Sequence, residues 1–177
     1  YNADSMVKEL YTKFPGLLES IEDAMGCSLR DESGRFQPQK LAQKIFSDRQ
    51  VLEMVESLVF PVLMEDFRIY AQSCGNSIVV FESATILEKP QFEGFGDKVI
   101  LVDAPLSLRM ERACARDGVC RDAITARMSN QKLMNALSQG ETDARIDAVI
   151  INDGAIDILE ERIEKTMSDL FGDWRKD

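Results

Sequence analysis

Five of the chain's twelve arginines fall between Arg109 and Arg127, directly after the apolar run Val99-Ile100-Leu101-Val102 and its exit Asp103-Ala104-Pro105. Guanidinium groups are planar forks that meet phosphate oxygens two at a time, so the clustering points to phosphate handling. The chain as a whole carries a formal charge of -10. A concentrated basic segment inside so acidic a chain suits a small polyanion better than nucleic acid. With a helix after Pro105, Arg109, Arg112 and Arg116 stand at i, i+3 and i+7 on one face, while Leu106, Met110 and Ala113 share another. The plainer alternative is a solvated face paired with Glu111, Asp117 and Asp122. Gly118 offers a hinge where a movable lid would need one.

Acid–base chemistry must rest on carboxylates, because the chain has no histidine. That absence removes Ser-His-Asp and Cys-His machinery, histidine metal sites and phosphohistidine chemistry together. In open parallel sheets, ligands bind beyond the carboxyl ends of the strands. The groups at those predicted exits are Asp4, Glu82 with Ser83, Asp103, and Asn152-Asp153-Gly154. Asp4 can accept a proton from a hydroxyl nucleophile or help to order a magnesium ion, as phosphoryl transfer requires. Its simpler role is an N-cap, which spacing alone favours. Asp103 has a similar structural alternative, bonding to the turn that follows it.

The elements that must position these groups change character along the chain. Asp4 or Ser5 can cap a first helix carrying Met6, Val7, Leu10 and Tyr11, and Phe14-Pro15-Gly16 interrupts it. Further helices are predicted from about Leu17 to Met25 and from Gln37 to Phe46. A long helical pattern then runs from Asp48 to about Tyr70, with Pro61 expected to kink it or to start a second helix. The second half alternates short β-branched runs (77–82, 99–102 and 148–151) with helices at about Leu106 to Asp117, Arg121 to Ser138 and Ile156 to Phe171. Such alternation predicts a parallel α/β sheet.

At 177 residues and 45% hydrophobic content the chain is about one soluble domain, able to bury a core. No apolar stretch approaches the roughly 18 to 20 residues of a membrane span, so a cytoplasmic protein is expected. Cys27, Cys74, Cys114 and Cys120 are scattered, as reduced thiols are, and resemble neither a disulfide framework nor a zinc ribbon. The chain opens on Tyr1 rather than Met, in what reads as a strand end, and an upstream segment is expected. No Gly-x-x-x-x-Gly-Lys-Ser/Thr loop lies between Tyr1 and Asp177.

Several segments together resemble the dephospho-coenzyme A kinase family of P-loop nucleotide-kinase-like proteins. Tyr1-Asn2-Ala3-Asp4 is similar to its Val/Ile-Asp-Ala-Asp segment, with Asn2 replacing the first aspartate. Leu58-Val59-Phe60-Pro61 resembles Leu-Leu-His-Pro, and Ala84-Thr85-Ile86-Leu87-Glu88 resembles Pro-Leu-Leu-Phe-Glu. Arg112-Ala113-Cys114-Ala115-Arg116-Asp117 is similar to the lid segment R-x-x-x-R-D. Arg127-Met128 with Gln131 fits Arg-Leu-x-x-Gln, and 149–154 fits Val-Ile-Asp-Asn-x-Gly.

The resemblance implies a three-layer parallel sheet of the P-loop nucleotide-kinase type, of order 2-3-1-4-5, with a helical acceptor-substrate domain and an arginine-bearing lid. Residues 1–4 and 77–177 would form the α/β core, including a lid at about 109–138, and residues 5–76 the acceptor domain. The implied activity is ATP-dependent phosphorylation of the ribose 3'-hydroxyl of dephospho-coenzyme A (dephospho-CoA), the last step of coenzyme A synthesis. Asp4 would be the base and touch Mg2+ indirectly through water, while Arg112 and Arg116 would stabilise the transferring phosphoryl group. Asn152 would lie by the adenine of ATP, and Phe60, Pro61, Ile86, Leu87 and Glu88 would contact the acceptor. The phosphate loop and its lysine are expected roughly 20 to 30 residues upstream of Asp4. The rival readings are another P-loop kinase for a nucleotide or small alcohol, and a degenerate relative that binds without catalysis. Neither nucleic acid nor membrane is expected as a partner.

Overall fold

A computed structural model describes residues 1–75, 77–128, 133, 136–137 and 141–175, which fall into two compact units, Tyr1–Ala84 and Thr85–Asp177. The predicted helix from Arg121 to Ser138 is seen as Arg121–Met128, and Gln131 and much of the expected lid beyond it lie outside the described residues.

In the first unit, the start of the chain runs parallel to residues 80–82. The Tyr1 nitrogen donates to Val80 O at 2.8 Å, the Glu82 amide to Tyr1 O at 2.8 Å, and the Ala3 amide to Glu82 O at 2.9 Å. The predicted strand at 77–82 is thus reduced to a single parallel bridge, Asn2 with Glu82. Too few backbone pairs are made there to define a longer ladder.

Four helices follow: α1 (Ala3–Lys13), α2 (Pro15–Met25), α3 (Pro38–Ser47) and α4 (Arg49–Ser73). Prolines open α2 and α3, where the missing amide is no loss. Asp48 caps α4 by accepting from the amides of Gln50 (2.8 Å) and Val51 (3.4 Å). Pro61 does not divide α4, contrary to the expectation of a kink or second start, and one helix runs through it. Val55, Val59 and Leu63 on either side of Pro61 form one buried stripe, and α4 packs on α1, α2 and α3. Burial of that continuous stripe offsets the hydrogen bond that the proline ring removes.

The same stripe ends in Asp66, a carboxylate only 4% exposed. A buried carboxylate is costly unless its oxygens are met. Here Tyr1 Oη donates at 2.8 Å to one oxygen and Lys13 Nζ donates to the other. The Tyr1 ring stacks on Phe81 at 5.5 Å and meets Phe67 edge-on at 5.2 Å, which fixes the hydroxyl above Asp66. Burial raises the Tyr1 phenol above its ordinary value, and the hydrogen bond to Asp66 adds to the rise. Burial alone would also raise the Asp66 carboxyl, but the hydrogen bonds from Lys13 and Tyr1 outweigh it and the net direction is down.

The second unit opens with two short 3-10 turns, Ile86–Glu88 and Pro90–Phe92. They lead into β1 (Ile100–Asp103), α5 (Leu106–Asp117), α6 (Arg121–Met128), β2 (Ala148–Ile151) and α7 (Ile156–Phe171). β1 and β2 pair in parallel, Ile100 opposite Ala148 and Asp103 opposite Ile151. Parallel neighbours require a crossover, and α5 and α6 lie within it. Met110, Ile124, Ile150 and Met167 supply buried apolar side chains from α5, α6, β2 and α7. At the amino end of the ladder, the Asp147 carboxylate accepts from the Val99 amide and from Lys98 Nζ, both at 2.8 Å. Among the described residues, no helix is long and apolar enough to cross a membrane.

Asp66 gives the first unit a specific acid sensitivity. Its folded-state pKa lies below the ordinary carboxylate value, so its contribution is complete above about pH 4 and fades as pH falls further. Asp66→Asn should lower unfolding free energy by about 1 to 2 kcal/mol at pH 7, with the difference shrinking below about pH 4. Urea unfolding of both proteins across that range checks this; a gap independent of pH would contradict it.

Candidate functional site

The first turn of a helix exposes amide groups that need an acceptor, and the residue that supplies one cannot use the same oxygen for chemistry. In α1 that residue is Asn2, whose Oδ1 accepts from the Ser5 amide at 2.8 Å. Its Nδ2 donates to the Glu82 carboxylate. The expectation that Asp4 or Ser5 caps this helix is therefore corrected: the cap is Asn2, two residues before Asp4. Asp4 stands inside the first turn, exposed, with its carboxylate relieved of capping. The amide at position 2, which bonds both the helix start and Glu82, does what a carboxylate could not, since a carboxylate beside Glu82 would be repelled. Phe60, half-buried, and Pro61, exposed, follow one another on α4 in this unit.

In the second unit the carboxyl ends of β1 and β2 gather polar groups from three elements. Asp103 ends β1, and its Oδ1 accepts from the Ala104 amide at 2.7 Å, the turn-stabilising role that was its structural alternative. Arg109 folds back toward the same oxygen, with Nε 3.6 Å away. Arg112 extends from α5 to the exit of β2 and donates through Nη1 to Asn152 O at 2.8 Å. Arg116 is 77% exposed at its side chain and pairs with the adjacent Asp117, Nε to Oδ1 at 2.7 Å. The three arginines of the predicted face thus have three different environments. Gly118, with φ of 64°, takes the left-handed conformation that ends α5.

The exit of β2 is held from several directions. The Asn152 amide donates to Asp103 O at 2.7 Å, continuing the ladder one residue beyond β2. Arg162, from α7, donates through Nη1 to Ile151 O and to Asp153 Oδ1, the latter at 2.5 Å. The Arg162 hydrogen bond holds the Asp153 carboxyl below its usual range against the opposing effect of desolvation, and the charges of Arg162 and Arg112 act the same way. At Gly154 a Cβ would come within 3.3 Å of Ile158 Cδ1, so the turn into α7 leaves little room for a side chain.

Ile86, Leu87 and Glu88 lie together on the first 3-10 turn and line a cavity of about 430 Å³ with Phe92, Phe95 and Arg145. Arg145 donates to Leu87 O at 2.7 Å and pairs with Asp143, whose carboxyl that hydrogen bond pulls down to about 2. Glu88 Oε1 accepts from the Leu133 amide at 3.0 Å. Of the expected site residues, Arg112 and Asn152 are brought together, as are Ile86, Leu87 and Glu88, while Asp4, Phe60 and Pro61 belong to the first unit. Arg162 and Arg145 were not anticipated. Arg162 is surrounded in sequence by Glu160, Glu161 and Glu164, which suggests an intrahelical partner, whereas the fold of α7 back on the end of β2 gives it Ile151 O and Asp153. Among the described residues, no group of three or more acidic or thiol side chains is arranged to hold a metal ion.

Parallel strands joined through helices, with an aspartate, an asparagine and guanidinium groups at their carboxyl ends, define a protein of the α/β class. The particular family follows from comparison with known proteins. The family model "CoaE: Dephospho-CoA kinase" matches residues 1–157. A dephospho-CoA kinase of Porphyromonas gingivalis is 34% identical over 143 residues, covering 81% of this chain and 70% of that protein. One of Frankia casuarinae is 27% identical over 170 residues, covering 96% and 72%. The chain belongs to the dephospho-CoA kinase family, and it is a kinase by that membership. Its fold is similar to the crystal structure of TT1252 from Thermus thermophilus (TM-score 0.70, 24% identity, covering 97% of this chain and 84% of that one). It is also similar to dephospho-CoA kinase from Campylobacter jejuni (TM-score 0.58, 18% identity, covering 95% and 83%).

The division of labour between positions 2 and 4 is open to direct test. Asn2→Ala should lower unfolding free energy by about 1 kcal/mol, the usual cost of losing an N-cap. Asp4→Ala should cost clearly less. Denaturant midpoints of the two variants in the reverse order would make Asp4 the cap.

Proposed function

We propose that the protein transfers the γ-phosphoryl group of ATP to the ribose 3'-hydroxyl of dephospho-CoA, the final step of coenzyme A synthesis, in the cytoplasm. The observation that carries this reading is the family match across residues 1–157. The exposed, uncapped position of Asp4 supports the role proposed for it. Asp4 takes the proton of the attacking hydroxyl, which must leave as the new O–P bond forms. Arg112 and Arg116 stabilise charge spread over the oxygens of the transferring group. Arg116 is suited to this because its own side chain is 77% exposed and can turn from Asp117 to a phosphate. Arg112 reaches the phosphates from beside Asn152, which lies against the adenine.

Magnesium fits the residues present in a limited way. It keeps most of its waters and is held by substrate phosphates with one or two carboxylates, so a single exposed aspartate, Asp4, suffices to touch it through water. When bound, the ion supplies charge neutralisation on the β- and γ-oxygens. In this reading the family's three-layer sheet applies, with residues 1–4 and 77–177 as core, 5–76 as acceptor domain and about 109–138 as lid. Phe60, Pro61, Ile86, Leu87 and Glu88 contact the acceptor, and Phe60 does so through its ring because it has no polar group to offer. The cavity beside Ile86 and Leu87 supports an apolar contact for that part of the acceptor.

A phosphotransfer assay with ATP and a panel of alcohol acceptors should give a preference for dephospho-CoA; equal use of unrelated acceptors would reject it. Asp4→Asn should lower turnover by roughly 10²- to 10⁴-fold with ATP affinity near wild type. Unchanged turnover would remove Asp4 from the chemistry. Arg112→Ala and Arg116→Ala should reduce kcat more than they raise KM for dephospho-CoA, and the opposite split would move them to the acceptor site.

A further inference from the structure

At the exit of β2 nearly every main-chain polar group has a charged or ladder partner. Ile151 O accepts from Arg162, the Asn152 amide donates to Asp103 O at 2.7 Å, and Asn152 O accepts from Arg112 at 2.8 Å. The next carboxylate, Asp153, is held by the same Arg162 nitrogen at 2.5 Å. Two helices, α5 within the crossover and α7 after β2, therefore grip three consecutive residues. A loop fixed so heavily at its backbone presents one side chain in a set direction, the half-buried amide of Asn152. That amide carries a donor and an acceptor side by side, which match the N6 donor and ring-nitrogen acceptor on one edge of adenine. Guanine offers two acceptors on the corresponding edge and leaves the amide oxygen opposed.

We infer that Arg162 is a positioning residue for nucleotide selection: by clamping Ile151 O and Asp153 it aims the Asn152 amide at the purine edge of the donor and so favours ATP over GTP. This rests on the proposal that Asn152 lies against the base. Arg162 touches neither substrate nor reacting atoms; it acts through Asn152. Arg112 alone cannot do the same, because it holds only the carbonyl of Asn152 and is also assigned to the phosphates.

The test measures equilibrium binding of ATP and of GTP, without acceptor, to the full chain and to Arg162→Met and Arg162→Lys, alongside thermal melting and steady-state kinetics. Arg162→Met should weaken ATP about tenfold and reduce the ATP/GTP ratio by a similar factor, with kcat at saturating ATP within about twofold. Arg162→Lys, which keeps one charged donor, should recover most of the ratio. An arginine of purely structural importance would lower the melting temperature and leave the ratio unchanged in the folded protein, which overturns the inference. A wild-type chain that binds ATP and GTP equally overturns it too. Failure of the wild type to phosphorylate dephospho-CoA would instead count against the proposed activity, and the binding ratio would still decide the part played by Arg162.

Discussion

The amides of the first turn of α1 have to be met, and the residue that meets them determines what Asp4 is free to do. Asn2 performs that task with one end of its side chain and reaches Glu82 with the other, so a single amide ties the helix start to residues 80–82. The stacking of Tyr1 on Phe81 and its hydrogen bond to the buried Asp66 fix the same junction from the opposite end. Asp4 thus sits on a rigid support, with its carboxylate in solvent rather than in the helix's own hydrogen-bond network. The role proposed for Asp4, a general base, calls for a carboxylate held in place by groups other than itself, and this junction supports that proposal.

The second unit meets the complementary demand, that of collecting positive charge in a chain with a formal charge of -10. It does so by distributing the arginines among partners of different strength. Arg109 is folded onto Asp103, Arg112 is bound to a neutral carbonyl, and Arg116, itself exposed, is paired with the half-buried carboxylate of its neighbour Asp117. A guanidinium bound to a carbonyl keeps its full charge for an incoming phosphate, whereas one already matched to a carboxylate must exchange partners.

Much of this organisation is legible in the sequence, and what escapes has identifiable causes. Helical spacing marks α1 to α4, and the β-branched runs at 99–102 and 148–151 mark the paired strands to within a residue. Pro61 misleads because proline chemistry is local, while the buried stripe of Val55, Val59 and Leu63 that keeps α4 whole is a property of packing. The capping of α1 misleads for a related reason: aspartate and asparagine are almost equally good caps, so composition cannot choose between positions 2 and 4. The run at 77–82 has the composition of a covered strand, yet among the described residues only Glu82 forms a bridge. Arg162 is not legible in the sequence, since its partners Ile151 and Asp153 are eleven and nine residues away across a turn, at the end of β2.

The proposed function requires Asp4 and Arg116 to serve the same phosphoryl transfer. A double-mutant cycle on kcat with Asp4→Asn, Arg116→Ala and the combined variant tests it most directly. Groups that act on one transition state are strongly non-additive, so the combined loss should fall well short of the product of the single losses. Single losses that simply multiply would mean that the carboxylate and the guanidinium act in separate events, and the account would fail.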